Sequence, residues 1–218
     1  MTPAQITLLA FIPAAYLVGS VPFGLMVGLA RGIDPRKAGS GNIGATNVGR
    51  LLGGRFFALV FTLDLLKGLL PTLAAGAVLG FKPTVALSYA LWLSVAFGAI
   101  VGHMYSIFLG FKGGKGVATS AGVILGVFPY YTMAAIPAIL VFLLIVKLTR
   151  YVSVASILGT TAFMLAYVTF GLVWRWHIFT TQLPLFGFAL LVVAMIVFKH
   201  RGNLARLRMG TENRIGSR

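Results

Sequence analysis

The chain has 218 residues, of which 59% are apolar and only 10% charged, where a soluble domain carries about 25% charged residues. Its 18 Lys and Arg against 3 acidic residues leave +15 at pH 7. That charge would suit a nucleic-acid binder, but with a mean hydropathy of +0.97 the chain has more hydrocarbon than a soluble core can hide. Composition therefore points to an integral membrane protein and argues against a nucleic-acid partner. With no cysteine, disulfides, thiolate nucleophiles, iron–sulfur clusters and Cys-ligated zinc are excluded. The three His and the acids Asp34, Asp64 and Glu212 are scattered, so no metal site is expected.

The N-terminal stretch has no basic leader region or small-residue cleavage site and reads as a first span. Spans of roughly 20 apolar residues are expected at 5–29, 56–80, 84–109, 152–174 and 181–198. Between Gly116 and Val146, interrupted by Pro129, the pattern divides into a short helix at 116–127 and a longer one at 131–147. A re-entrant segment is the alternative. The expected fold is an all-α polytopic bundle of about seven membrane helices, forming one membrane-embedded domain over 1–218. With the N-terminus outside, 15 of the 18 basic residues fall in inside segments. The basic surface and the C-terminus then face the cytoplasm.

Four polar segments stand out. In the first, Ala38–Arg50, Ser40, Gly41, Asn42, Gly44, Thr46 and Asn47 crowd a connection that opens the second helix, followed by Arg50. Glycines let a backbone approach a ligand, consecutive N–H groups form anion-binding concavities, and the Arg fork matches phosphate oxygens. The plainer reading is a turn with Thr46 or Asn47 capping a helix. The second segment runs from Gly102-His103-Met104-Tyr105-Ser106 to Phe111-Lys112-Gly113-Gly114-Lys115-Gly116-Val117-Ala118-Thr119. Its spacing fails the nucleotide P-loop pattern. A positive-inside anchor would explain Lys112 and Lys115, but not Gly113, Gly114 and Gly116 around them. An anion site at a helix mouth explains both.

The third segment places Ser153 and Ser156 on one helix face, a pattern that serves packing as readily as binding. The fourth is a basic tail, ordinarily a contact to lipid headgroups, in which His200 and Asn203 are the unusual members. Asp64 and Lys67, at i and i+3 within a span, read as a mutually neutralising structural pair.

Taken in order, SGNIGATNVGR, GHMYSIFLGFKGGKGVAT, RYVSVAS and KHRGNLARLRMGTE resemble the bacterial acyl-phosphate:glycerol-3-phosphate acyltransferases of the PlsY family, over essentially the whole chain. Ile43 replaces a frequent Pro and Gly49 a larger apolar residue; neither falls on an expected ligand. The resemblance implies a multi-pass protein of the bacterial inner membrane with a cytoplasmic active site and no cofactor. It implies transfer of a fatty acyl group from acyl phosphate to the sn-1 hydroxyl of glycerol 3-phosphate, giving lysophosphatidic acid and phosphate for phospholipid synthesis. A functional link to the enzyme that makes acyl phosphate follows. By motif position, Ser40, Arg50, Lys115, Ser153, His200 and Asn203 would form the catalytic set. Gly41, Asn42, Gly44, Thr46, Asn47, Lys112, Gly113, Gly114, Gly116 and Ser156 would line the substrate phosphates.

The His-x4-Asp pairing of acyl-CoA-dependent glycerolipid acyltransferases is absent. The base is therefore either a substrate phosphate oxygen or His200. A transporter for an anionic solute is the rival class, but the polar segments gather at one membrane face, whereas transporter sites lie near the midplane. A lipid-binding scaffold would explain the charge without the Ser, Asn and Gly motifs.

Overall fold

The computed structural model describes residues 1–216. Within them the secondary structure is entirely helical: α1 (Pro3–Ser20), α2 (Phe23–Leu29), α3 (Ala45–Leu52), α4 (Gly54–Val78), α5 (Ala86–Met104), α6 (Val117–Gly126), α7 (Tyr130–Thr149), α8 (Val152–Val173), α9 (Leu183–Lys199) and α10 (Arg201–Arg208). Five stretches are long and apolar enough to cross a membrane: 3–29, 54–78, 86–109, 130–149 and 152–173. A sixth is α9 with α10, bent by 49° at its joint, and α6 is a shorter apolar helix. The stretch expected as one span over 5–29 is broken at Val21-Pro22, where Pro22 has no N–H to continue the ladder. The helix expected at 56–80 is preceded by the short α3, from which it is separated by Gly53 at φ +97°.

The helices divide into two compact units. The first comprises Met1–Lys82 and Leu91–Val127; the second comprises Pro83–Ala90 and the chain from Phe128 onward.

The first unit starts with a capping box, in which the Thr2 hydroxyl accepts from Gln5 N–H and the Gln5 side chain accepts from Thr2 N–H. Its helices approach one another through small residues, because lipid offers no hydrophobic drive for association and close van der Waals contact must replace it. Gly19 lies against the Ala99 backbone, and Gly122 faces the Leu65 carbonyl so closely that a Cβ would collide. Trp92, fully buried, donates its indole N–H to the Thr72 carbonyl at 2.7 Å. Across the α1–α5 seam Tyr16 donates to the Tyr105 carbonyl at 2.9 Å, and Ser106 to the Ser20 carbonyl at 2.6 Å.

In the second unit α8 packs against α7 and α9. Tyr131 sits at its centre, edge-on to Phe163 and Tyr167 with ring centroids 4.9 and 5.1 Å away, and donates to the Leu185 carbonyl. The linker after α8 is an aromatic cluster: Trp176 meets Tyr130 edge-on with ring centroids 5.2 Å apart and lies tilted against Trp174 at 5.3 Å, while Arg175 and His177 hold positive φ.

Gly122→Val should drive a branched side chain into the α4 backbone at a cost of about 1–3 kcal/mol, read as a lowered Tm in detergent. Gly187→Ala, where an added methyl meets nothing within 4 Å, should leave Tm unchanged or raise it.

Candidate active-site loops

The connection between α2 and α3 has almost no regular structure, yet one side chain closes it. Asn47, buried at 2% exposure, donates its amide N–H groups to the carbonyls of Pro35 (3.0 Å), Ala38 (3.1 Å) and Asn42 (2.9 Å) and accepts from Ser40 N–H at 2.8 Å. The expectation that Thr46 or Asn47 caps a helix is thus corrected: Gly44 stands at the N-cap of α3 without a side-chain bond, and Asn47 turns back to organise the loop. The Asn42 side chain accepts from Gly44 N–H at 2.8 Å, closing a second small turn. Gly39 adopts φ +62° directly against the Asn47 amide oxygen, where no Cβ fits. Ser40 and Arg50 are left on the exposed side of this framework.

Upstream, Arg36 grips Asp34 with both arms of its fork (Nε–Oδ1 3.0 Å, NH2–Oδ2 2.8 Å). The hydrogen bond from Arg36 is the main reason the Asp34 carboxyl is lowered to about 2.

The second glycine segment folds over the end of α5. Gly114 N–H donates to the His103 carbonyl at 3.1 Å, and the Gly114 α-carbon lies so close to the His103 ring that a side chain is excluded. Gly116, at φ +82°, is packed against Met104 in the same way and opens α6. Lys115 is half-buried between these two glycines, and Lys112 is exposed. The two segments meet at a cavity of about 200 Å³ lined by Arg36, Gly41, Ile43, Leu109, Lys112 and Gly113. Arg36 is a member that sequence reasoning missed. Its signal, an Asp-Pro-Arg triplet before the glycine segment, carries no phosphate signature of its own.

The third and fourth segments are brought together in the second unit by an acid that was not singled out. Glu212 Oε1 accepts from Ser153 Oγ at 2.8 Å and from Asn203 Nδ2 at 2.5 Å, while Oε2 accepts from Arg206 Nε at 2.9 Å. His200, 2% exposed, places Nδ1 2.8 Å from the Ile196 carbonyl. A carbonyl can only accept, so Nδ1 carries the proton and Nε2 is the nitrogen able to accept a hydrogen bond when the ring is neutral. Ser156 donates to the Val152 carbonyl of its own helix at 2.8 Å, the helix-backbone use that serine hydroxyls often have in membrane spans. The described residues contain no cluster of three or more His, Asp or Glu suited to a metal ion.

Burial works to raise the Glu212 carboxyl, but the donors from Asn203, Ser153 and Arg206 outweigh it and hold it below the usual range. A carboxyl depressed on folding contributes stability above its unfolded value of about 4.3 and loses that contribution as pH falls through its folded value. Wild-type Tm should therefore fall on acidification below about pH 4, and Glu212→Gln should lower Tm at pH 7 while shrinking the difference from wild type in acid.

The glycerol-3-phosphate acyltransferase family model matches residues 9–210. A Geobacter sulfurreducens glycerol-3-phosphate acyltransferase is 45% identical over 202 residues, spanning 92% of this chain and 93% of that protein. One from Geotalea daltonii is 44% identical over 208 residues, spanning 94% and 96%. Among solved structures, the crystal structure of PlsY, an integral membrane glycerol 3-phosphate acyltransferase, in its glycerol 3-phosphate form is similar with a TM-score of 0.82 and 38% identity, covering 96% of each chain. Its lysophosphatidic acid form gives a TM-score of 0.79. With a family model over most of its length and relatives this similar across nearly all of it, the chain belongs to the glycerol-3-phosphate acyltransferase family.

Proposed function

We propose that this membrane protein transfers a fatty acyl group from acyl phosphate to the sn-1 hydroxyl of glycerol 3-phosphate, releasing lysophosphatidic acid and inorganic phosphate. Beyond family membership, the observation that supports an anionic acyl donor is the cavity in the first unit, lined by the cations Arg36 and Lys112, the glycines Gly41 and Gly113, and the apolar Ile43 and Leu109. That combination suits an anionic head with an apolar tail. No cofactor is needed, because acyl phosphate is a mixed anhydride and already activated. The Lys/Arg bias along the chain supports an inner-membrane location with these loops on the cytoplasmic side.

The hydroxyl oxygen attacks the acyl carbonyl, the tetrahedral intermediate collapses, and the bond to the phosphate oxygen breaks with its electron pair leaving on phosphate. The hydroxyl proton ends on that phosphate, so atoms and charge balance without a covalent enzyme intermediate. Both substrates are anions, and the reacting atoms must be held about 3–3.5 Å apart. Ser40, Arg50 and Lys115 in the first unit, with Ser153, His200 and Asn203 in the second, are the proposed catalytic set. They offset phosphate–phosphate repulsion and stabilise the developing oxyanion. Gly41, Asn42, Gly44, Thr46, Asn47, Lys112, Gly113, Gly114 and Gly116 shape the phosphate-binding backbone, and Ser156 supports Ser153 on the same helix face. A substrate phosphate oxygen takes the proton, with His200 as an orienting donor or acceptor.

Purified protein given palmitoyl phosphate and radiolabelled glycerol 3-phosphate should form lysophosphatidic acid with equal phosphate release, and none with palmitoyl-CoA; product from the CoA ester alone would overturn the donor assignment. Arg50→Ala and Lys115→Ala should each lower kcat/KM by roughly 10²–10³-fold, about 3–4 kcal/mol, with normal folding. His200→Gln should keep the acidic limb of the pH–rate profile. A variant that loses both activity and that limb would make His200 the base instead.

A further inference from the structure

The buried Asp64–Lys67 pair of the first unit touches the carbonyl at the joint before α2 and the His103 ring that underlies the second glycine segment. Asp64 Oδ1 lies 2.7 Å from Lys67 Nζ and 3.6 Å from His103 Nδ1, with all three side chains no more than 4% exposed. Lys67 Nζ also donates to the Val21 carbonyl at 2.8 Å, at the joint between α1 and α2. Just past that joint, in the first turn of α2, Gly24 is pressed against the Ile43 carbonyl so tightly that no Cβ fits. The position of α2 therefore sets the position of the loop carrying Ser40. On the other side, the His103 carbonyl receives Gly114 N–H, and the His103 ring fills the space beneath Gly114.

We propose that Asp64, acting through Lys67 and His103, is the positioning residue that fixes the separation of the two anion-binding loops. An aliphatic pair of similar volume would fill the same space at little or no cost in stability. It could not hold a carbonyl on one side and an imidazole ring on the other in a set register. The arrangement rests on the reading of these loops as the binders of the anionic substrates. It differs from a plain neutralised pair, which would need neither the Val21 carbonyl nor the His103 ring.

Asp64→Asn alone strands the Lys67 charge and is expected to misfold, so the deciding variant is Asp64→Leu with Lys67→Met. It should keep Tm within about 3 °C of wild type, while kcat/KM for glycerol 3-phosphate falls about 10²-fold, the effect of a displacement near 1 Å. His103→Gln, which leaves the ion pair in place and keeps much of the ring's volume, should reproduce the kinetic loss with a smaller fall in Tm than the cavity-forming His103→Ala, and it decides the matter if the double variant does not fold. Wild-type kinetics in either folded variant would overturn the positioning role while leaving the acyltransferase reading intact. A folded wild type that consumes no glycerol 3-phosphate would overturn both.

Discussion

A backbone N–H or C=O buried in the protein has to find a partner there, and an irregular loop at the end of a span cannot meet this demand as a helix does. The Asn47 amide meets it for the first glycine segment, drawing three carbonyls and one N–H from Pro35 to Asn42 onto a single buried side chain. The second segment solves the same problem differently, by leaning on the end of α5 through Gly114 N–H and the His103 carbonyl. Both solutions spend buried polar groups on shape and leave cations at the surface. That division allows a loop to be rigid and anion-attracting at once.

The two units handle charge in contrasting ways. In the first, Arg36 is committed to Asp34 yet still lines the cavity with Lys112, so its orientation is set before any ligand arrives. Preorganised cations cost little reorganisation when charge develops on a substrate. In the second, Ser153 and Asn203 are held by one carboxylate that Arg206 also engages. Glu212 thereby ties the start of α8 to the tail after α10. The main-chain bond from Ile215 N–H to the Arg150 carbonyl at 2.9 Å reinforces the same closure.

How much of this was legible beforehand differs from element to element. The helices at 56–80, 131–147 and 152–174 show in apolar run length, and the structure places helices at Gly54–Val78, Tyr130–Thr149 and Val152–Val173. The break at Val21-Pro22 was hidden because the hydropathy stays high on both sides of it, and only the missing N–H of Pro22 marks it. Asp64 and Lys67 were readable as a pair from their i, i+3 spacing. His103 was not, because it comes from a helix some 36 positions further along the chain. Glu212 was invisible as an organiser for the same reason: its partners Ser153 and Asn203 are remote or offset in sequence, and an acid in a basic tail looks like ordinary charge balance.

Composition alone determined that the chain belongs in a membrane, because 59% apolar residues cannot be covered by so few charges. The order of its four polar segments was enough to indicate the family. Tertiary structure alone decided which polar atoms serve the fold and which are left for chemistry: Asn47 and Ser156 bond backbone carbonyls, and Arg36 joins a cavity that no motif assigned to it. The physical reason is that local spacing records which residues can share a helix face. Hydrogen-bond partners and cavity walls are drawn from segments that meet only after the chain has packed.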